Sequence, residues 1–116
     1  MEKRKIRRLL EAQHTVLIQQ IINAEHRLTV PIEPSPDRLD WTTSRITRER
    51  IAIQLAESKQ LLGQIETALA RMDYDTYGTC LACGKAINPD RLVAIPYASL
   101  GFRCQTRQEE MNLVRG

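Results

Sequence analysis

The chain has 116 residues, a formal net charge of +3, 42% hydrophobic residues and only 4% aromatic residues. Because large rings dominate the energetics of compact cores, this composition argues against one conventional core and favours an extended helical protein. Three cysteines cannot form a fully paired disulfide framework, and no run reaches the roughly 18 apolar residues that a membrane helix needs. We therefore expect a soluble, cytoplasmic protein with no membrane partner.

The first predicted element is a helix from about Lys3 to Thr29, a stretch that contains neither Pro nor Gly. Small or apolar side chains recur in it every three or four residues, as one face of an α-helix requires, and Gln13 is the polar interruption. This face comprises Ile6, Leu10, Leu17, Ile21, Ala24 and Leu28. The basic start of the helix leaves open whether it meets DNA, meets an acidic protein surface or is simply solvated; its cations are Lys3, Arg4, Lys5, Arg7 and Arg8.

A second helix is predicted after a proline-rich break. Pro31, Pro34 and Pro36 each lack a backbone donor and restrict the preceding residue, so no helix can pass through them. We expect the next helix to begin between Asp37 and Thr43, where capping side chains are available. Its apolar seam repeats in steps of four and three, the spacing of a coiled coil, over Ile51, Leu55, Ser58, Leu62, Ile65, Leu69 and Met72.

The two helices are predicted to pair as a long antiparallel coiled-coil hairpin over residues 1–74, with its tip at about 31–43. Beyond it, residues 75–116 change to short segments punctuated by Gly and Pro, followed by a last helix from about Arg103 to Val114. The predicted fold class is therefore mainly α, with the hairpin, a small module and a C-terminal helix.

The small module carries the cysteines. Cys80-x-x-Cys83-Gly84 has the spacing of a zinc knuckle, and Cys104 lies where the second ligand pair of a zinc ribbon would be, but Gly101 stands where a fourth thiolate is needed. Three interpretations stay open: zinc held by three thiolates and an outside ligand, a metal-free knuckle held by packing, and a redox-active cysteine pair, for which the usual βαβ context is missing. No carboxylate is placed beside the cysteines as a base, so we expect no enzymatic activity.

Four runs of sequence carry a resemblance to a known family. They are Ala68-Leu69-Ala70-Arg71, Tyr77-Gly78-Thr79-Cys80-Leu81-Ala82-Cys83-Gly84-Lys85-Ala86-Ile87, Arg91-Leu92-Val93-Ala94-Ile95-Pro96-Tyr97-Ala98 and Cys104. In these positions the chain resembles the DksA/TraR family of bacterial zinc-finger transcription regulators, whose third cysteine falls on Gly101. The resemblance implies a zinc-finger-like module in a three-cysteine form, with Cys80, Cys83 and Cys104 as the ligands of any Zn²⁺ that is bound.

The resemblance also implies that the hairpin enters the secondary channel of RNA polymerase. Counting back from Cys80, the family's D-x-x-D-x-A motif falls on residues 37–42, where a threonine replaces the alanine. This implies a polymerase-contacting tip that modulates the stability of promoter open complexes and consists of Asp37, Asp40, Trp41 and Thr42. Judged from the residues alone, the two aspartates could equally cap the second helix, and the tryptophan could either anchor a partner or pack back on the hairpin.

The resemblance places the basic residues of a guanosine tetraphosphate site at Gln64, Ile95 and Gln105. Since the loss of three cations weakens a phosphate site, we expect no response to that alarmone at this position. The expected partner is bacterial RNA polymerase, bound by a monomer without direct contact to DNA. Two other functions stay open: a DNA-binding zinc-ribbon protein that acts through its basic ends, and a structural coiled-coil adaptor.

Overall fold

The computed structural model describes residues 3–31 and 36–115, and of residues 114 and 115 only the backbone. Within these residues four helices follow one another: α1 (Lys3–Thr29), α2 (Arg38–Asp73), α3 (Pro89–Ala94) and α4 (Phe102–Arg115). Within the described residues the β-type pairing is limited to an isolated bridge between Thr79 and Ala86. The predicted mainly α fold is therefore confirmed.

The three predicted helices are confirmed, and the structure adds a fourth. α1 has the predicted bounds, α2 begins inside the predicted window, and α4 differs by one residue at each end. The short α3 has no periodic pattern; its signals are Pro89 at the first turn and Asn88 as the N-cap. Of the predicted tip at about 31–43, residues 32–35 lie outside the described residues. No described helix is long and apolar enough to span a membrane.

The chain divides into two compact units. The hairpin unit is His14–Gly63, and the cysteine unit combines Met1–Gln13 with Gln64–Gly116. Each unit contains a part of α1 and a part of α2, so the apolar seam of the long helices contributes to both.

In the hairpin unit the seam faces of α1 and α2 pack against each other. Leu17 and Ile21 of α1 are buried, and Ile21 lines the same cleft as Ile51 and Leu55 of α2. The predicted seam positions in this unit are buried or half-buried, whereas most of the intervening side chains are exposed. The spacing of apolar residues therefore identifies the packed faces of both helices correctly.

The C-terminal end of α1 is closed by a side chain from α2. The last carbonyl groups of a helix have no intrahelical donor, and here Arg48 Nη2 donates to the carbonyl oxygens of Leu28, at 2.7 Å, and Val30. Thr29 Oγ1 also donates to the carbonyl oxygen of His26, at 2.7 Å. Arg48 thus ties the two helices together at the end of α1, a role that the sequence pattern does not reveal.

The core of the cysteine unit combines both long helices with the loops and α3. Leu10 of α1 and Ile65 of α2 have no exposed surface, and Leu92 of α3 is 2% exposed. Full burial of a side chain of this size stabilises the folded state by about 1.5–3 kcal/mol. Further buried residues come from all parts of the unit: Ile6, Ala68, Tyr77, Cys80, Ile87 and Ala98.

Polar side chains of α1 also lie in the cysteine unit. The side-chain oxygen of Gln13, the polar interruption of the seam, is buried with no hydrogen-bond partner in the described part of the chain. In the basic cluster at the start of α1, Arg7 Nη1 lies 2.8 Å from Asp73 Oδ1, and Lys3 Nζ lies 4.0 Å from Asp75 Oδ1. These ion pairs are exposed and stabilise the fold little, but they give part of the cluster acidic partners at the end of α2.

Candidate functional sites

A tight turn presents the first two cysteines. Gly78 and Gly84 have φ angles of 85° and 75°, a left-handed conformation that glycine adopts without strain. Between them, Cys80 N donates to the carbonyl oxygen of Lys85 at 2.8 Å, and Gly84 N donates to the carbonyl oxygen of Cys80 at 2.9 Å. These bonds close the segment from Cys80 to Cys83 into the knuckle that the spacing predicts.

The third cysteine comes from α4. Cys104 lies in the first turn of that helix, and the Sγ atoms of Cys80, Cys83 and Cys104 all lie within 4.8 Å of one another. All three are free thiols, of which Cys80 is buried, Cys104 half-buried and Cys83 exposed. The structure thus brings together the three residues that the sequence singled out as metal ligands.

The cluster offers three sulfur atoms and, within the described residues, no further ligand from His, Asp or Glu. Gly101 occupies the position at which a four-thiolate site would need its remaining cysteine. Nothing lies within 4 Å of the position that a Cβ would take there. Structural zinc sites are closed by four protein ligands. The cluster therefore offers a possible Zn²⁺ three of its four ligands, as predicted, and the fourth has to come from outside the described residues.

The pKa values of Cys80 and Cys104 are shifted in opposite directions. The backbone N–H of Gly101, and next that of Cys83, donate to the Cys80 sulfur and lower the pKa of Cys80 to about 6. The pKa of Cys104 is raised to about 11, because its thiol donates hydrogen bonds to Cys80 and then to Cys83. Since cysteine binds metals as the thiolate, an ion at this cluster has to displace the proton of Cys104.

Arg71 anchors the knuckle to α2. This arginine is buried, and its Nη2 donates to the carbonyl oxygens of Thr76, at 2.7 Å, and Thr79, the residue before Cys80. Its Nε is buried with no hydrogen-bond partner in the described chain. Beyond its place in the motif, no role of Arg71 is predicted from the sequence. The available signal is its place on the buried face of α2, three residues after Ala68, where a cation needs internal partners.

Two side chains hold the loop that leads to Cys104. Tyr77 Oη donates to the carbonyl oxygen of Pro96 at 2.8 Å, and Arg91 Nε donates to the carbonyl oxygen of Leu100 at 3.0 Å. Burial raises the pKa of Tyr77, which keeps its hydroxyl protonated as a donor. Both residues belong to the motif that carries the family resemblance, and in the structure both shape the surroundings of the cysteines.

The two aspartates assigned to the tip lie at the start of α2. Asp37 Oδ1 accepts a hydrogen bond from Leu39 N at 2.9 Å, and the Asp37 carbonyl oxygen accepts one from Trp41 N at 3.3 Å. Asp37 therefore caps the helix. Asp40 lies in the first helical turn and is exposed, and its carboxylate has no partner within the described residues. One aspartate thus orders the start of the helix, and the other faces solvent.

Trp41 and Thr42 lie in the same turn of α2. The Arg45 guanidinium lies over the Trp41 ring, 5.6 Å from its centroid, and the residue remains 41% exposed. Thr42 Oγ1 donates to the carbonyl oxygen of Arg38 at 2.9 Å. The stacked Arg45 restrains the ring while part of its surface stays open to solvent.

The chain is similar to several known proteins. The family profile of the prokaryotic dksA/traR C4-type zinc finger matches residues 75–110. The RNA polymerase-binding transcription factor DksA of Haemophilus influenzae is 28% identical over 106 residues, which cover 89% of this chain and 71% of that one. The solved structure of transcription factor DksA2 from Pseudomonas aeruginosa is similar over 92% of this chain and 82% of its own, at 30% identity and a TM-score of 0.75. The chain belongs to the DksA/TraR family.

Within the DksA/TraR family this chain departs from the C4 description of the finger, because it has three cysteines and Gly101. The positions at which the family resemblance predicts alarmone-binding cations, Gln64, Ile95 and Gln105, line one surface cavity of about 280 Å³ in the cysteine unit. In that lining Arg91 is the one cation and Glu109 the one anion. The expected lack of response to guanosine tetraphosphate at this cavity stays a prediction.

Proposed function

We propose that this DksA/TraR protein is a non-catalytic, cytoplasmic transcription regulator that binds bacterial RNA polymerase. The observation that carries the proposal is the similarity to transcription factor DksA2 over 92% of the chain, at a TM-score of 0.75. The name of the Haemophilus influenzae relative specifies RNA polymerase as its binding partner. Because the similarity includes parts of both units, we extend that partner to the whole chain, which acts as a monomer and enters the secondary channel.

The start of α2 is proposed as the part that acts on the polymerase. Asp40 is exposed, and its carboxylate has no partner in the described residues, so its charge is available to another molecule. Asp37 orders the same turn by capping the helix. Carboxylate oxygens are ligands that hard cations such as Mg²⁺ prefer, and Trp41 offers a partly exposed ring beside them. In this proposal the two carboxylates modulate the stability of promoter open complexes, with Trp41 and Thr42 as contacts.

Transcription in vitro tests the two aspartates with variants that remove charge and keep shape. Asp40→Asn removes an exposed charge, and Asp37→Asn keeps a capping oxygen, since Asn caps a helix as well as Asp does. The control is Glu57→Gln, which neutralises an exposed acid further along α2. On a ribosomal RNA promoter and an amino-acid biosynthesis promoter, we expect both aspartate variants to lose most of the wild-type effect and the control to keep it.

Binding to polymerase is measured separately, by competition with labelled wild-type protein. Variants that bind and still act like wild type would show that the acidic turn has no part in regulation, and would favour a structural adaptor. If the wild-type protein fails to bind polymerase, the proposed function itself is wrong.

Direct binding to duplex DNA is not expected. Part of the basic cluster of α1 already has acidic partners, since Arg7 pairs with Asp73 and Lys3 lies near Asp75. A DNA-binding protein that neutralises several phosphates shows affinity that falls steeply with salt. Fluorescence anisotropy with a labelled duplex should therefore give a flat titration at low salt. Strong, salt-sensitive binding without polymerase would favour the zinc-ribbon alternative.

A further inference from the structure

Among the described residues, three or more side chains able to bind a metal converge at one place, the cluster of Cys80, Cys83 and Cys104. Their Sγ atoms lie within 4.8 Å of one another, so small side-chain rotations bring them onto a shared ion. The donors are all sulfur. Such a set selects soft ions, because thiolates favour Cu(I) and Zn²⁺ over Mg²⁺ and Ca²⁺.

The fourth coordination position distinguishes these two soft ions. Structural Zn²⁺ requires four ligands in a tetrahedron, and Gly101 has no side chain to supply one. The group that Gly101 directs at the cluster is a backbone N–H that donates to the Cys80 sulfur, and an N–H cannot ligate a cation. A Cβ at Gly101 would meet nothing within 4 Å, so the space for a ligand exists without a ligand from the described residues.

We propose that Cys80, Cys83 and Cys104 form a three-coordinate site for a soft monovalent ion of the Cu(I) class. Cu(I) has a filled d shell and is satisfied by three thiolates in a plane, so it needs no fourth protein ligand. Cys80 is buried and Cys104 half-buried, so two of the three ligands are shielded from water. The inference concerns the cysteine unit alone and does not depend on binding to polymerase.

The test uses the reduced full-length protein under anaerobic conditions, titrated with Cu(I) and with Zn²⁺ against chromogenic chelators that compete for each ion. Gly101→Cys adds a fourth thiol, and Gly101→Ala is its matched control, since both place a Cβ in the same open space. Loss of even an outer-shell partner costs about 10–100-fold in metal affinity. A complete additional ligand in Gly101→Cys should therefore raise the affinity for Zn²⁺ at least about tenfold and leave the affinity for Cu(I) nearly unchanged.

X-ray absorption at the copper edge then counts the sulfur ligands. We expect one Cu(I) per chain with three sulfur neighbours in the wild type and in Gly101→Ala, and a weaker complex with two sulfur neighbours in Cys104→Ser. Circular dichroism verifies that each variant is folded. The proposal is overturned if the wild type binds no Cu(I), if two sulfurs bind it, or if Gly101→Cys raises the affinities for Cu(I) and Zn²⁺ equally.

Discussion

Replacing Arg71 by methionine tests whether the cysteine knuckle depends on its attachment to α2. In Arg71→Met a long side chain still fills the buried space, but the carbonyl oxygens of Thr76 and Thr79 lose their donor. Hydrogen bonds to a charged group contribute about 1.5–3 kcal/mol each, so the two together contribute about 3–6 kcal/mol. Removal of the buried Nε, which has no partner in the described chain, offsets about 1–3 kcal/mol of that loss. The difference between these ranges is about 0–5 kcal/mol, and its centre predicts that the free energy of unfolding falls by about 2–3 kcal/mol.

Urea-induced unfolding followed by far-ultraviolet circular dichroism measures this change. Arg8→Met is the matched control, because Arg8 is an exposed arginine of the same unit and has no partner within the described residues. Its free energy of unfolding should stay within about 0.5 kcal/mol of wild type, as is usual for surface substitutions. If Arg71→Met is as stable as the control, the two hydrogen bonds contribute no more than the burial of the guanidinium costs, and the anchoring role of Arg71 is refuted.

Two further stability predictions concern polar side chains of the long helices. Gln13→Leu should raise the free energy of unfolding by about 1–2 kcal/mol, because it removes a buried oxygen without a partner in the described chain; a lower thermal midpoint than wild type would contradict this. Arg48→Met should lower the free energy of unfolding by about 1–2 kcal/mol, because the carbonyl oxygens of Leu28 and Val30 at the end of α1 lose their donor. This loss is smaller than for Arg71 because the bond to Val30 is exposed, so water can replace the donor there. Urea unfolding measures that change against Arg50→Met, an exposed arginine nearby on α2, and equal stability of the two variants would count against the capping role.

The replacement of one cysteine by Gly101 has a direct chemical consequence for this member of the family. The backbone N–H of Gly101 donates to the Cys80 sulfur, and the knuckle is closed by backbone bonds such as the one from Cys80 N to the carbonyl oxygen of Lys85. The local arrangement of the cysteines therefore has support from the polypeptide itself. In our proposal, the number of sulfur ligands then determines which ion binds. Gly101→Cys changes that number, and its Cβ would meet no atom within 4 Å.

The long helices could be predicted because their signals are local. A stretch without Pro or Gly and with apolar residues every three or four positions forms a helix whose packed face is known in advance, as Leu10 and Ile21 show. The start of α2 follows from the same kind of evidence, since a capping residue acts on backbone groups two or three residues away, and Asp37 Oδ1 accepts a hydrogen bond from Leu39 N in this way. The short α3 lacks such a repeat and was missed.

The cysteine site was predictable only in part. The turn that carries Cys80 and Cys83 is closed by hydrogen bonds between near neighbours, so its spacing alone identifies it. The approach of Cys104 to the other two thiols depends on how α4 packs in the cysteine unit, whereas the missing fourth thiolate is already visible in the sequence as Gly101. The sequence alone is compatible with a zinc site, with a metal-free knuckle held by packing and with a redox-active cysteine pair.

By itself the sequence determined the three longer helices, the packed faces of α1 and α2, the knuckle and the family. The tertiary structure alone decided where Arg48 and Arg71 find their partners, because both donate to backbone carbonyl oxygens. Because every residue has a backbone carbonyl group, the sequence does not reveal which carbonyl oxygen accepts such a hydrogen bond. The structure also separates Asp37 from Asp40, which are identical in residue type: Asp37 accepts a bond from a free N–H at the start of α2, whereas Asp40 lies in the first turn with its carboxylate exposed.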